Sequence, residues 1–276
     1  MAKISAADVK KLRDMTGAGM MDCKKALEES EGDFDKAVEI LRKKGQKVAN
    51  KRSDRELNEG VVLAKTSDDN KKAYIVALAC ETDFVARTDD FKGAVETILE
   101  AAIKNDAVDT EALKNVKLDN GLTVADQVTE LSGKTGEKVE LAYYNRVEGE
   151  YAAVYVHFNL TSAAIAAFNK PASEEVAKDI VMQIVSMKPV AIDKDEVPQE
   201  IVDKELEIGK EQAINEGKPA DIAEKIAQGR LNKFFKEYTL LNQAFIKDNK
   251  MTVRDYLKQS DPELKVVAIA RYSVHE

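Results

Sequence analysis

Three sets of residues in this chain have types and spacings from which chemistry could be built. Glu81 and Asp83 stand two apart at the end of an apolar run. On an extended strand, positions i and i+2 share a face, which would bring two carboxylates together for acid/base work. Gly133-Lys134-Thr135 has the ending of a phosphate-binding loop, in which backbone N–H groups cradle phosphates and the lysine reaches them. The thiols and imidazoles are Cys23, Cys80, His157 and His275, the usual ligands and nucleophiles.

None of these sets is completed by its surroundings. No basic group, metal ligand or glycine loop accompanies Glu81 and Asp83, so they read as a solvated strand end. The phosphate loop needs a glycine five positions before Gly133, and Val128 stands there inside an apolar helical stripe. Neither histidine has a Cys or His at ligand spacing, and a Gly-x-Ser-x-Gly elbow is absent. The two cysteines are too far apart for a metal or redox motif and read as reduced packing residues. No cofactor, metal or catalytic residue is expected.

The elements that position these residues read as an α+β chain. Residues 4–45 predict three short helices. Ser5 to Asp8 has the form of a capping box, Gly17 and Gly19 break the first helix, and Gly32-Asp33 stops the second and caps the third. The polar segment 43–58 reads as a linker or a frayed helix end. Runs 60–66 and 72–80 around Ser67-Asp68-Asp69-Asn70 predict a hairpin. A helix is expected over 84–104, and Phe84, which opens it, reads on local pattern alone as a core residue. Val124, Val128 and Leu131 mark a further helix. Strands at 139–147 and 150–157 predict a second hairpin across Glu148-Gly149, followed by a strand at 162–168 and a helix at 173–187. Residues 196–237 carry two apolar stripes around Gly217-Lys218-Pro219, the pattern of a projecting antiparallel helical hairpin. A strand at 240–246, a helix from Thr252 and a strand at 266–274 complete two similar α+β halves with small antiparallel sheets.

Composition narrows the function classes. The 276 residues carry 44% hydrophobic and 33% charged side chains, enough for a substantial core and a solvated surface. No apolar run reaches the length of a membrane span, and the first residues lack a secretory h-region, so a cytosolic protein without membrane attachment is expected. Net charge is −8, which argues against direct nucleic-acid binding. Residues 1–55 are nevertheless basic, at +4, against −12 for the remainder. A basic head on an acidic body suits docking on an acidic surface, although a mixed solvated surface gives the same arithmetic.

Two stretches carry a resemblance. Thr16-Gly17-Ala18-Gly19-Met20-Met21-Asp22-Cys23-Lys24-Lys25-Ala26-Leu27 and Glu81-Thr82-Asp83-Phe84-Val85-Ala86-Arg87 resemble the two signatures of the bacterial elongation factor Ts family. Tyr155-Val156-His157, Ser186 to Pro189, Gly217 to Pro219 and Leu240 to Phe245 match further family positions in order. The resemblance implies a guanine nucleotide exchange factor, not an enzyme, whose partner is the GTPase elongation factor Tu. It implies a ubiquitin-associated-like head and linker (1–55), an N-terminal core subdomain (56–148), a C-terminal one (149–195 and 238–276) and a helical hairpin arm (196–237), the last a candidate surface for self-association. It also implies roles. Thr82, Asp83, Phe84 and Val85 would dislocate the partner's Mg²⁺. Arg13, Met20, Met21 and Lys24 would dock the head. Gly136 and His157 would contact the partner from the core.

The residues themselves leave alternatives open. Met20 and Met21 suit packing at a helix start, but two adjacent side chains cannot both face one core. His157 at a strand end also suits a structural or solvated position. An enzyme using the Glu81/Asp83 face, or an adaptor using only head and arm, remain rival classes. After His157 the family has a short glycine-containing turn, whereas Phe158 to Ala164 lacks glycine and reads as longer. Some members add a terminal helix on the partner, and the resemblance here ends without it.

Overall fold

The computed structural model describes residues 4–276. Its head is three helices: α1 (Ala6–Thr16), α2 (Met20–Glu29) and α3 (Phe34–Lys51). The Ser5–Asp8 capping box forms, and Gly17 ends α1 in the left-handed region at φ 66°. A small core of Val9, Leu12, Cys23, Ala26, Leu27 and Ala37 holds the three together.

Of the two readings of 43–58, linker or helix end, the first part is helix, because α3 runs on to Lys51. The extension packs on α7 (Val124–Thr135). A side chain on Gly45 would lie 2.7 Å from the Thr129 carbonyl, and one on Gly133 would lie 2.7 Å from Gly45 Cα. Arg42 reaches Glu130 at 2.9 Å. The charges that suggest a linker form the solvated side of a helix whose other side carries a glycine-to-glycine crossing.

Beyond the head, β1 (Glu59–Thr66), β2 (Lys72–Cys80) and β3 (Val139–Glu148) form one antiparallel sheet in that order, while β4 (Tyr151–Val156), β5 (Ser162–Phe168) and β8 (Val266–Ser273) form another. The expected second hairpin is therefore not formed: β3 pairs with β2, and β4 pairs with β5. At Glu148-Gly149 the chain crosses between sheets. A side chain on Gly149 would strike the Phe168 carbonyl at 2.5 Å, so the glycine serves a close backbone approach rather than a hairpin turn.

The two sheets pack face to face. Val62, Ala73, Ile75 and Ala77 of the first meet Ala152, Ala163, Ile165 and Ala167 of the second. The outer face of the first sheet, through Tyr74, Val76, Leu78 and Cys80, is covered by α5 (Asp89–Asn105), the short α6 (Thr110–Lys114) and α7. The outer face of the second, through Ala164, Ala166 and Phe168, is covered by α8 (Glu174–Met187). Central strands covered on both faces explain why β2 and β5 read as unbroken apolar runs. The α+β class and small antiparallel sheets are as the sequence predicts.

Two further differences are local. The helix expected over 84–104 is two: a single turn α4 (Asp83–Ala86), then α5 capped by Thr88, whose hydroxyl accepts from Phe91 N–H. The expected strand at 240–246 is a 3₁₀ turn at Leu240–Asn242 followed by the two-residue β6 (Ala244–Phe245), paired with β7 (Asp248–Thr252). Buried Gln243 turns the chain there, donating to the carbonyls of Met187 and Glu237. The arm is α9 (Gln199–Asn215) against α10 (Ala220–Tyr238). Between them Gly217 is left-handed at φ 80°.

Candidate functional site

The site begins where β2 ends. Cys80 is fully buried, and burial pushes its thiol up to about 12, which removes it as a nucleophile at neutral pH. Glu81 follows, and its carboxylate is fully engaged. It accepts from Arg52 Nη1 at 2.7 and 2.8 Å and from Lys138 N–H at 2.6 Å. Burial works to raise its pKa, but the Lys138 N–H and Arg52 outweigh it and hold it low. Asp83 is the first residue of α4 and pairs with Arg87 at 2.9 Å. The two carboxylates are thus committed to different partners on different elements.

Opposite this segment stands Glu137, which pattern reading missed. Its carboxylate accepts from Glu81 N–H (3.2 Å), Thr82 N–H (3.1 Å) and the Thr82 hydroxyl (2.6 Å). Thr82 Oγ1 in turn accepts from Val85 N–H, capping α4. Gly136, left-handed at φ 74°, ends α7 and delivers Glu137 to this position. Glu81-Thr82 and Glu137-Lys138 therefore clasp each other. The single turn of α4 then sends Val85 and Ala86 toward the first core and leaves Phe84 82% exposed. The local expectation that Phe84 is a core residue is overturned: successive helical residues rotate by about 100°, so the turn that directs Val85 and Ala86 inward carries Phe84 outward.

The remaining predicted residues fall into two groups. Arg13, Met20, Met21 and Lys24 are all exposed on α1 and α2. Met21 is 64% exposed, and Met15, which sequence reading passed over, adds to the same corner at 59%. This corner is tied to the core: a side chain on Gly17 would run into the Lys134 ammonium, which pairs with Asp90 at 2.6 Å. Gly133-Lys134-Thr135 is accordingly the end of α7 rather than a phosphate loop. His157 lies at the end of β4, half-buried, with Nδ1 3.2 Å from the Tyr155 hydroxyl. The turn after it is short, spanning only 157–161 before β5, because Leu160 adopts φ 60° in place of a glycine. Phe158 on that turn is 87% exposed.

Among the described residues no cluster of three or more His, Cys, Asp or Glu could hold a metal ion. No helix there is long and apolar enough to cross a membrane. What the geometry offers is surface: an exposed ring on a clasped backbone, and a methionine corner on the head.

Comparison with known proteins gives this surface a context. The family model described as Elongation factor TS matches residues 81–276. The chain is 47% identical over 276 residues to Elongation factor Ts of Christiangramia forsetii, covering 99% of this chain and 100% of the relative. It is 47% identical over 272 residues to Elongation factor Ts of Porphyromonas gingivalis strain W83, covering 99% and 98%. To that of Amoebophilus asiaticus it is 49% identical over 257 residues, covering 92% of each.

The chain belongs to the elongation factor Ts family. The elongation factor Ts match opens at Glu81, the residue that starts the clasped segment. The head lies outside that match but inside the Elongation factor Ts relatives aligned over almost the whole chain.

Proposed function

We propose that this protein is a guanine nucleotide exchange factor that binds elongation factor Tu·GDP and promotes GDP release during translation elongation, working in the cytoplasm without a chemical step of its own. The observation that carries the reading is Phe84, 82% exposed on a turn whose preceding backbone is locked by Glu137. Phe84 wedges into the GTPase near its magnesium site, with Thr82, Asp83 and Val85 shaping the approach. Magnesium compensates phosphate charge, so displacing it loosens the nucleotide. Arg13, Met20, Met21 and Lys24 dock the head on the nucleotide-binding domain, where polarizable methionines adapt to an apolar surface. Gly136 and His157 add contacts from the core.

Magnitudes divide the work. Accelerating release by about three decades takes roughly 4 kcal/mol of differential stabilisation, whereas burying one phenylalanine contributes about 1.5–3 kcal/mol. Head and core contacts must therefore also favour the open GTPase. Linkage makes the effect reciprocal: nucleotide weakens binding of this protein by the same factor.

The test is release of fluorescent GDP from elongation factor Tu. Wild-type protein should accelerate it, and Phe84→Ala should lose about tenfold or more of that acceleration. The variant should keep its stability within about 0.5 kcal/mol, because the ring is exposed. No acceleration by wild-type protein overturns the reading. An undiminished effect in Phe84→Ala overturns the wedge alone.

A further inference from the structure

We propose that Phe158 is a second apolar anchor for the partner GTPase, and that it sets affinity where Phe84 sets the rate of nucleotide release. The inference rests on the exchange-factor reading above. Among the described residues, Phe84 and Phe158 are the two phenylalanines left exposed. Single exposed apolar side chains are common on protein surfaces, so exposure alone assigns nothing. The way the ring is held does.

The turn that carries Phe158 is braced at His157, Leu160 and Thr161. His157 N–H donates to the Ser162 carbonyl at 2.9 Å, and Leu160 N–H donates to the His157 carbonyl at 2.8 Å. Thr161 N–H donates to Asn159 Oδ1 at 3.2 Å. The Leu160 carbonyl accepts from Val62 N–H of β1 at 2.7 Å, and its side chain packs on the first core. Leu160 is left-handed at φ 60°, a conformation that disfavours any side chain and persists only where its surroundings over-determine it. The outcome of this bracing is that Phe158 points away from both cores. Its flank is supported by the His157 ring, 4.5 Å away between centroids, and His157 is itself held near the Tyr155 hydroxyl. With its backbone braced, Phe158 has only its side-chain torsions to fix on binding, which lowers the entropic cost of using an aromatic residue as an anchor.

The same edge strand joins this turn to the Phe84 segment. Val62 of β1 holds Leu160, while Glu59 of β1 pairs with Cys80, from which Glu81 to Val85 continue. The segments that carry both exposed rings are thus tied to the same edge strand, one at Glu59 and the other at Val62. The turn Phe158-Asn159-Leu160-Thr161 has no charged side chain, so it lacks what a phosphate backbone needs. An apolar ring with an uncharged polar rim is the composition of a protein-interface centre. The occupant we assign is an apolar depression on the GTPase that receives Phe84.

The experiment titrates wild-type, Phe158→Ala, Phe158→Leu and Phe84→Ala proteins against elongation factor Tu loaded with fluorescent GDP. Phe158→Ala should raise the half-saturating concentration by about ten- to hundredfold, with the maximal release rate within about twofold of wild type. Phe158→Leu should recover most of the affinity. Phe84→Ala should show the opposite split, a lower maximal rate with a smaller change in half-saturation. Melting temperatures should agree within about 2 °C, since the ring is exposed. Wild-type half-saturation in Phe158→Ala overturns this inference and leaves the exchange reading intact. Failure of wild-type protein to accelerate release overturns both. If Phe158→Ala changes only self-association of the free protein in sedimentation, the ring belongs to a second copy and the assignment is overturned.

Discussion

An exposed ring transmits binding energy to a partner only if its own backbone resists being pushed back. For Phe84 that resistance comes from Glu137, one carboxylate receiving three hydrogen bonds from the two residues before α4. Hydrogen bonds to a charged acceptor are about twice as strong as neutral ones, and Glu137→Ala would leave their donors partly unsatisfied. The expected cost is about 1–3 kcal/mol in urea denaturation, with a fall in maximal GDP release although Phe84 is untouched. Coupling is the decisive readout. In a Phe84→Ala background, Glu137→Ala should add little to the exchange defect, because the loss runs through the ring. Fully additive defects would separate Glu137 from the wedge. At this scale the sequence was half legible. The residue types of Thr82 to Val85 stand out, and Thr82 is a recognisable cap. The facing of Phe84 was not readable, since a one-turn helix has no periodicity. Glu137 carries no local signal at all, because its partners lie more than fifty residues away.

At the scale of elements, the head is joined to the core by a helix crossing that only glycine permits. Gly45 of α3 and Gly133 of α7 meet so closely that a Cβ on Gly133 would lie 2.7 Å from Gly45 Cα. The atoms met on each side are backbone, which cannot rotate away as a side chain can. Two effects of opposite sign compete in Gly133→Ala. Alanine favours a helix interior by about 1 kcal/mol over glycine, and overpacking costs about 1–3 kcal/mol. Overpacking should win. The expected result is a less stable protein whose residues 52–58 become sensitive to protease while helix content by circular dichroism is kept. A net stabilisation near 1 kcal/mol would show that the helices can part without penalty. The sequence displayed these glycines but not their purpose, because a glycine in a helical pattern signals close approach only once the facing helix is known. Gly149 misled for the same reason. A two-residue break between strand runs is a hairpin signal, yet its strands pair with β2 and β5, and that choice depends on contacts distant in sequence.

For the whole molecule, the apolar layers follow directly from the runs of β2 and β5, and those were the most legible part of the chain. Alanines such as Ala73, Ala77, Ala163 and Ala167 let the two sheets meet. The polar contacts that fasten sheets to helices were invisible, because each is assembled from distant residues. Asp106 shows what they contribute. It ends α5 in a left-handed conformation and accepts from Lys72 (2.5 Å), the Tyr74 hydroxyl (2.8 Å) and Arg146 (2.5 Å), so one carboxylate joins α5 to β2 and β3. The Lys72 bond, opposed by burial and reinforced by Tyr74 and Arg146, lowers its pKa to about 2. A carboxylate in an unfolded chain titrates near 3.9. Because the folded value is the lower one, unfolding takes up a proton in the interval between them. The stabilisation is therefore complete above about pH 4 and is lost as pH falls toward 2. Solvent screens the group, since its side chain is 44% exposed, so the effect is best read as a difference between proteins. Urea midpoints of wild-type and Asp106→Asn proteins should differ by a constant amount from pH 7 to 5, then converge between pH 4 and 2. A gap that persists unchanged to pH 2 would mean that hydrogen-bond geometry, rather than the charge of Asp106, fastens α5 to the sheet.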